Sequence, residues 1–236
     1  MSQAHQVWVI IPAAGSGRRM QSDIPKQYLP LAGRKVIEHT LERFTCNPRI
    51  SGVMVCLSDD DQVFSSLQVD NPQKIRTTPG GRERVHSVLN GLLALDPLMR
   101  ARDWVMVHDA ARPCVHPADI DELLDNGLAN VDGALLAVPV RDTLKRVEDG
   151  RIECTTDRSQ LWHALTPQLF PYHALRDAIE KSLAAGAVVT DEAQAMELAG
   201  FHPRVVEGRP DNIKITHPRD LALAQIFLAA QLKEQA

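Results

Sequence analysis

The sequence predicts a three-layer α/β sandwich around a mostly parallel sheet. Two observations carry this: short, uninterrupted apolar runs, and amphipathic stripes that alternate with them. The first run is VWVII at 7–11, β-branched and closed by Pro12. VMVCL at 53–57, WVMV at 104–107 and GALLAV at 133–138 follow. Runs that are apolar at every position suit strands buried on both faces. Between them, Val36, Ile37, Thr40, Leu41 and Phe44 form one helical stripe. Val85, Val88, Leu89 and Leu92 form a second at i, i+3, i+4 and i+7. A third spans 221–232, with Pro218 tolerated near its first turn. Strand and helix in alternation make βαβ units.

A length of 236 residues suits one large domain or two small ones, and a single domain over 1–236 is expected. One segment departs from the pattern. Residues 143–157 read TLKRVEDGRIECTTD, and Asp149-Gly150 between two extended stretches is a hairpin signal. Neither face is clearly apolar, and a lone hairpin is marginal in water. The segment 140–158 is therefore expected to be a protruding arm that packs on a second subunit, with a flexible surface flap as the alternative.

Charge excludes some functions. Lys and Arg total 26 and Asp and Glu 30, a net charge of −4. A bulk nucleic-acid binder would carry a basic excess, so any polyanion must be held by a local cluster of bases. No apolar run approaches the ~20 residues of a membrane span. Residues 1–6 lack the basic and apolar regions of a signal peptide, and a cytoplasmic location is expected. Cys46, Cys56, Cys114 and Cys154 include no CxxC pair, and His108, Cys114 and His116 fit no metal-ligand spacing.

Three clusters carry chemistry. After the first run comes PAAGSGRRM at 12–20, a small-residue turn whose backbone can approach phosphate. It is not a dinucleotide fingerprint, because Met20 stands where a third Gly or Ala belongs, and it lacks the Gly-Lys-Ser/Thr of a Walker loop. Arg19, and Lys26 after Pro25, are placed to grip a triphosphate. The second cluster, GGRERVHS at 80–87, is a glycine turn that opens the second helix, where Ser87 reads as a ligand contact or a cap. The third is HDAARP at 108–113. Asp109 lies just past a buried strand, at the edge where α/β folds place ligands, and suits Mg²⁺ carrying phosphates.

Taken together, PAAGSGRRM, PKQY, GGRERVHSVLNGL, VHDAARP, PVRDTLKR, DRSQLWHALTPQ, VTDEA and VEGRPDNIKIT resemble, in this order, the 2-C-methyl-D-erythritol 4-phosphate cytidylyltransferases. The resemblance runs from about residue 7 to 227. It implies a Rossmann-like fold, a homodimer with exchanged hairpin arms, and Mg²⁺- (or other divalent cation-) dependent transfer of CMP from CTP to 2-C-methyl-D-erythritol 4-phosphate in the non-mevalonate isoprenoid pathway. By that resemblance Pro12, Ala13, Ala14 and Gly15 surround the nucleotide, and Arg19 and Lys26 stabilise the transition state. Gly81, Arg84 and Ser87 fall on the cytosine and ribose side, and Asp109 and Ala110 on the ribose, metal and substrate region. Arg112, Thr143, Arg158, Thr190, Asp211 and Lys214 fall on the substrate side, with Thr143 and Arg158 reaching the neighbouring subunit and Arg158 and Lys214 holding the substrate phosphate. Thr190 also reads as a helix N-cap. Arg82 and His86 depart from the residues common in the family. Two other readings remain: a cytidylyltransferase of another sugar-alcohol phosphate such as ribitol 5-phosphate, and a non-catalytic nucleotide-binding protein.

Overall fold

A computed structural model describes residues 5–15 and 24–234. The chain opens with β1 (Val7–Pro12), a short ribbon of β2 (Pro30–Leu31) and β3 (Arg34–Lys35), α1 (Val36–Thr45) and β4 (Gly52–Leu57). Next come β5 (Ile75–Pro79), α2 (Arg84–Leu95), β6 (Trp104–Val107), α3 (Pro117–Leu128) and β7 (Ala134–Pro139). The hairpin β8 (Leu144–Glu148) and β9 (Arg151–Thr156) precedes β10 (Trp162–Pro171). The chain continues through α4 (Tyr172–Ala184), α5 (Glu192–Leu198), β11 (Arg204–Glu207) and α6 (Pro218–Glu234).

Seven strands form one sheet in the order β11-β7-β10-β6-β1-β4-β5. All neighbours pair in parallel except at β10, which runs antiparallel to both β6 and β7. The four apolar runs are β1, β4, β6 and β7, and alternate residues of each enter opposite layers. Val9, Ile11, Val53, Val55 and Met106 pack with Ile37, Leu41 and Phe44 of α1 and Ile120, Leu123 and Leu124 of α3. Ile10, Met54, Cys56, Val105 and Val107 pack with Val88 and Leu92 of α2 and Leu175 and Ile179 of α4. Full burial of such side chains stabilises by roughly 1.5–3 kcal/mol each. At Gly91 of α2 an added Cβ would lie 2.9 Å from Cys56 Sγ and Ile10 Cγ2, so the helix presses directly on the sheet.

The stripe expected at 221–232 is only partly buried: Ala224 and Leu228 of α6 are covered, whereas Leu223, Ile226 and Leu232 face outward. The hairpin forms a separate two-stranded sheet. Asp149 (φ 48°) and Gly150 (φ 76°) both sit in the left-handed region, as a type I′ turn requires. The paired Val147 and Ile152 are 55% and 66% exposed. At its base Val140 N–H donates to the Leu161 carbonyl at 3.0 Å.

Candidate active site

Sheet order places the site. From β1 the chain moves outward to β4 and β5, then crosses back to β6 on the other side of β1. The carboxyl ends of β1 and β6 therefore flank a topological switch point, where open α/β sheets leave a crevice. A cavity of about 320 Å³ lies there. Pro12, Ala13, Ala14 and Gly15 line it from β1, Gly81, Arg84 and Ser87 from the start of α2, and Asp109 and Ala110 from the end of β6. Lys26 and Lys214 complete the predicted set on its walls, beside Gln27, Arg82, Glu83, Ala111 and Thr216.

The two small-residue turns are built to touch. A Cβ on Gly80 would lie 2.4 Å from the Ala14 Cβ and 3.1 Å from the Leu57 carbonyl oxygen, so only glycine lets them approach. Buried Gln27 fixes the first turn by donating from Nε2 to the carbonyls of Ala13 (2.7 Å) and Gly15 (3.3 Å). Ser87 fixes the second: its Oγ accepts from Gly81 N–H at 3.0 Å and donates to the Glu83 carbonyl at 3.2 Å.

Asp109 is the electrostatic centre. Its Oδ1 lies 2.9 Å from Arg84 Nε, and its Oδ2 lies 2.8 Å from Lys214 Nζ and 3.4 Å from Arg112 Nε. Burial alone would raise its pKa, but the charges of Arg84, Lys214 and Arg112 hold it well below the usual carboxylate range. Asp109 N–H donates to Thr166 Oγ1 at 3.1 Å. Thr166 Oγ1 also meets His108 Nδ1 at 3.1 Å, and His108 Nε2 lies 3.0 Å from the Arg112 carbonyl. Burial pushes His108 down to about 4, against the lift from that carbonyl, so the ring is neutral at pH 7. Arg84 reaches past Asp109 to Glu192, with Nη1–Oε1 at 2.6 Å and Nη2–Oε2 at 3.0 Å.

Other predicted residues lie elsewhere. Arg112 sits behind Asp109 and donates from Nη1 to the Asn212 carbonyl at 2.7 Å. Asp211 turns from the cavity toward α6, where its Oδ2 accepts from Gln231 Nε2 at 3.0 Å. Thr143 and Arg158 are exposed at the base of the hairpin, and Arg158 donates to the Arg141 carbonyl. Thr190 is exposed and bonds Gln194 at 2.9 Å. It is not the N-cap of α5, because Asp191 accepts the Gln194 N–H at 3.0 Å instead. Arg19 lies outside the described residues. Sequence reasoning did not single out Gln27, Thr166 or Glu192, although all three fall inside the quoted PKQY, DRSQLWHALTPQ and VTDEA segments.

Asp109 supplies one carboxylate that stays ionised. Among the described residues no group of three or more His, Cys, Asp or Glu is arranged to hold a metal ion. Both oxygens of Asp109 already meet cations, so it fits a Mg²⁺ only as one ligand to an ion that brings its own phosphate and water ligands.

A six-parallel-strand sheet with a backbone-lined, cation-rich cavity at its switch point defines a nucleotide-handling α/β enzyme. Comparison with known proteins narrows the class. The family model of 2-C-methyl-D-erythritol 4-phosphate cytidylyltransferase (IspD) matches residues 7–230. The Tolumonas auensis protein of that name is 52% identical over 223 residues, 94% of this chain and 96% of its own. The Shewanella amazonensis protein is 52% identical over 231 residues, covering 98% and 96%. The solved structure of the Francisella tularensis protein superposes with a TM-score of 0.82 at 37% identity, covering 94% of this chain and 99% of that one. The chain belongs to the 2-C-methyl-D-erythritol 4-phosphate cytidylyltransferase family.

Proposed function

We infer that the chain transfers CMP from CTP to 2-C-methyl-D-erythritol 4-phosphate, giving 4-diphosphocytidyl-2-C-methyl-D-erythritol and pyrophosphate. The observation that carries this is the cavity itself, which gathers the two small-residue turns, Lys26, Lys214 and Asp109 from segments far apart in sequence. An oxygen of the phosphate monoester attacks the α-phosphorus of CTP. The bond from that phosphorus to the bridging oxygen breaks, and pyrophosphate leaves with the electron pair. A phosphate monoester has a second pKa near ~6 and is largely dianionic at pH 7, so the nucleophile needs no general base. The difficulty is bringing anions together, and fixed cations and backbone N–H groups at the cavity meet it.

Lys26 and Arg19 act on the charge that builds at the substituted phosphorus. Lys214 and Arg158 hold the acceptor phosphate, Lys214 as a point charge and Arg158 as a bidentate fork. Asp109 would hold a divalent cation; when bound, such an ion neutralises charge on the phosphate oxygens. The hairpin serves a homodimer: its exposed Val147–Ile152 pair docks on a second copy, and Thr143 and Arg158 complete the partner's cavity. The setting is the cytoplasm. Pyrophosphate release followed in parallel with 2-C-methyl-D-erythritol 4-phosphate and ribitol 5-phosphate tests the acceptor. Turnover with the branched tetritol phosphate is expected, and faster release with the pentitol phosphate would reassign the substrate.

A further inference from the structure

We infer that Glu192 is a positioning residue that acts through Arg84, and that Arg84 is a strut of the cavity wall and not a phosphate ligand. The inference rests on the nucleotidyl-transfer reading of the cavity. Glu192 is 2% exposed, and both of its oxygens face the Arg84 fork, at 2.6 and 3.0 Å. The third nitrogen of the guanidinium, Nε, is spent on Asp109 at 2.9 Å. Arg84 thus answers two carboxylates at once, whereas Lys214 has one and is more exposed. An incoming phosphate would have to displace a bidentate pair with a buried carboxylate to recruit Arg84, and such pairs are among the strongest hydrogen-bonded contacts. Lys214 is the cheaper ligand.

Both ends of the strut are tied to β10. At one end Asp109 N–H donates to Thr166 Oγ1 at 3.1 Å. At the other, Gln168 accepts the Ala193 N–H at 2.8 Å and donates to Asp191 at 3.0 Å, which clamps the first turn of α5 on either side of Glu192. Thr166 and Gln168 are two residues apart on one strand, so β6, α2, α5 and β10 close a ring around the guanidinium. The same helix, α2, carries Ser87, which holds the Gly81 turn. Glu192 therefore sets where that turn stands against the nucleotide without touching it.

A contact made equally in ground and transition states changes KM and spares kcat. Glu192→Gln keeps the shape and removes the charge. It should raise the KM for CTP at least tenfold, leave kcat within about threefold, and change kcat/KM less than twofold when added to Arg84→Met. Arg84→Lys keeps the charge but cannot span both carboxylates, and should give the same KM-led loss even if Glu192→Gln folds poorly. A KM within twofold of wild type in either variant, a kcat-led loss, or independent multiplication in the double variant overturns the inference. Wild-type enzyme assayed alongside separates the two claims: its failure to transfer CMP overturns both, and its activity beside an unaffected variant overturns only this one.

Discussion

At Asp109 burial and charge oppose each other, and three cations decide the outcome. The carboxylate draws Arg84, Arg112 and Lys214 together by offsetting their mutual repulsion, and three cations around one anion leave a local positive excess for phosphate. Lys26 stands on the same wall with its neighbour Gln27 locked into the first turn. If it acts on the transition state, Lys26→Ala should lower kcat by roughly 10²–10³ with little change in KM. Steady-state kinetics check this, and a KM-only effect counts against the role. His108 gives a pH signature. It stays neutral in the fold down to about 4, whereas an unfolded histidine takes its proton near ~6.5. The unfolded chain binds the extra proton between those values, so stability is full above ~6.5 and falls by about 3 kcal/mol toward pH 4. Urea midpoints should drop across that window, and His108→Asn should flatten the drop. Part of the slope should remain, because burial also lowers His39 and His116. Equal slopes in variant and wild type would rule out His108 as the source.

Elements differ in how openly the sequence declares them. β1, β4, β6 and β7 are buried on both faces, and an unbroken apolar run is the trace of that burial. β5 and β11 are edge strands, half wet, and IRTTP and RVVE carry no such run. β10 is hidden by Pro167, which ordinarily argues against a strand. Here it falls within the register shift between Ala164 and Gln168, where no ladder hydrogen bond is asked of it. The hairpin was readable from Asp149-Gly150 alone. If the arm completes the partner's site, Arg158→Ala and Lys26→Ala subunits should each be inactive and should recover activity when exchanged, because a mixed dimer keeps one intact site. Inactive mixtures with verified exchange would confine the site to one subunit.

Across the whole molecule, a chain of net charge −4 concentrates its useful cations at one edge of one sheet. The motifs were legible as local strings, and parallel topology explains why strings so far apart meet: each follows a strand or opens a helix at the same edge. Which side chains face inward was less legible. In the segment DNIK, Lys214 enters the cavity while Asp211 is drawn to Gln231 of α6, a choice made by a helix whose packing the string does not record. Glu192 escaped notice for a similar reason, since an acid in the first turn of a helix already has a local explanation in the helix dipole. Substitution at the innermost phosphorus within this cavity is the step on which every residue role depends. Its most direct test is incubation with CTP labelled at the α-phosphate, Mg²⁺ and 2-C-methyl-D-erythritol 4-phosphate. Label should pass into the diphosphocytidyl product while the pyrophosphate released stays unlabelled; label that remains in CTP, or leaves only as free CMP, would contradict it.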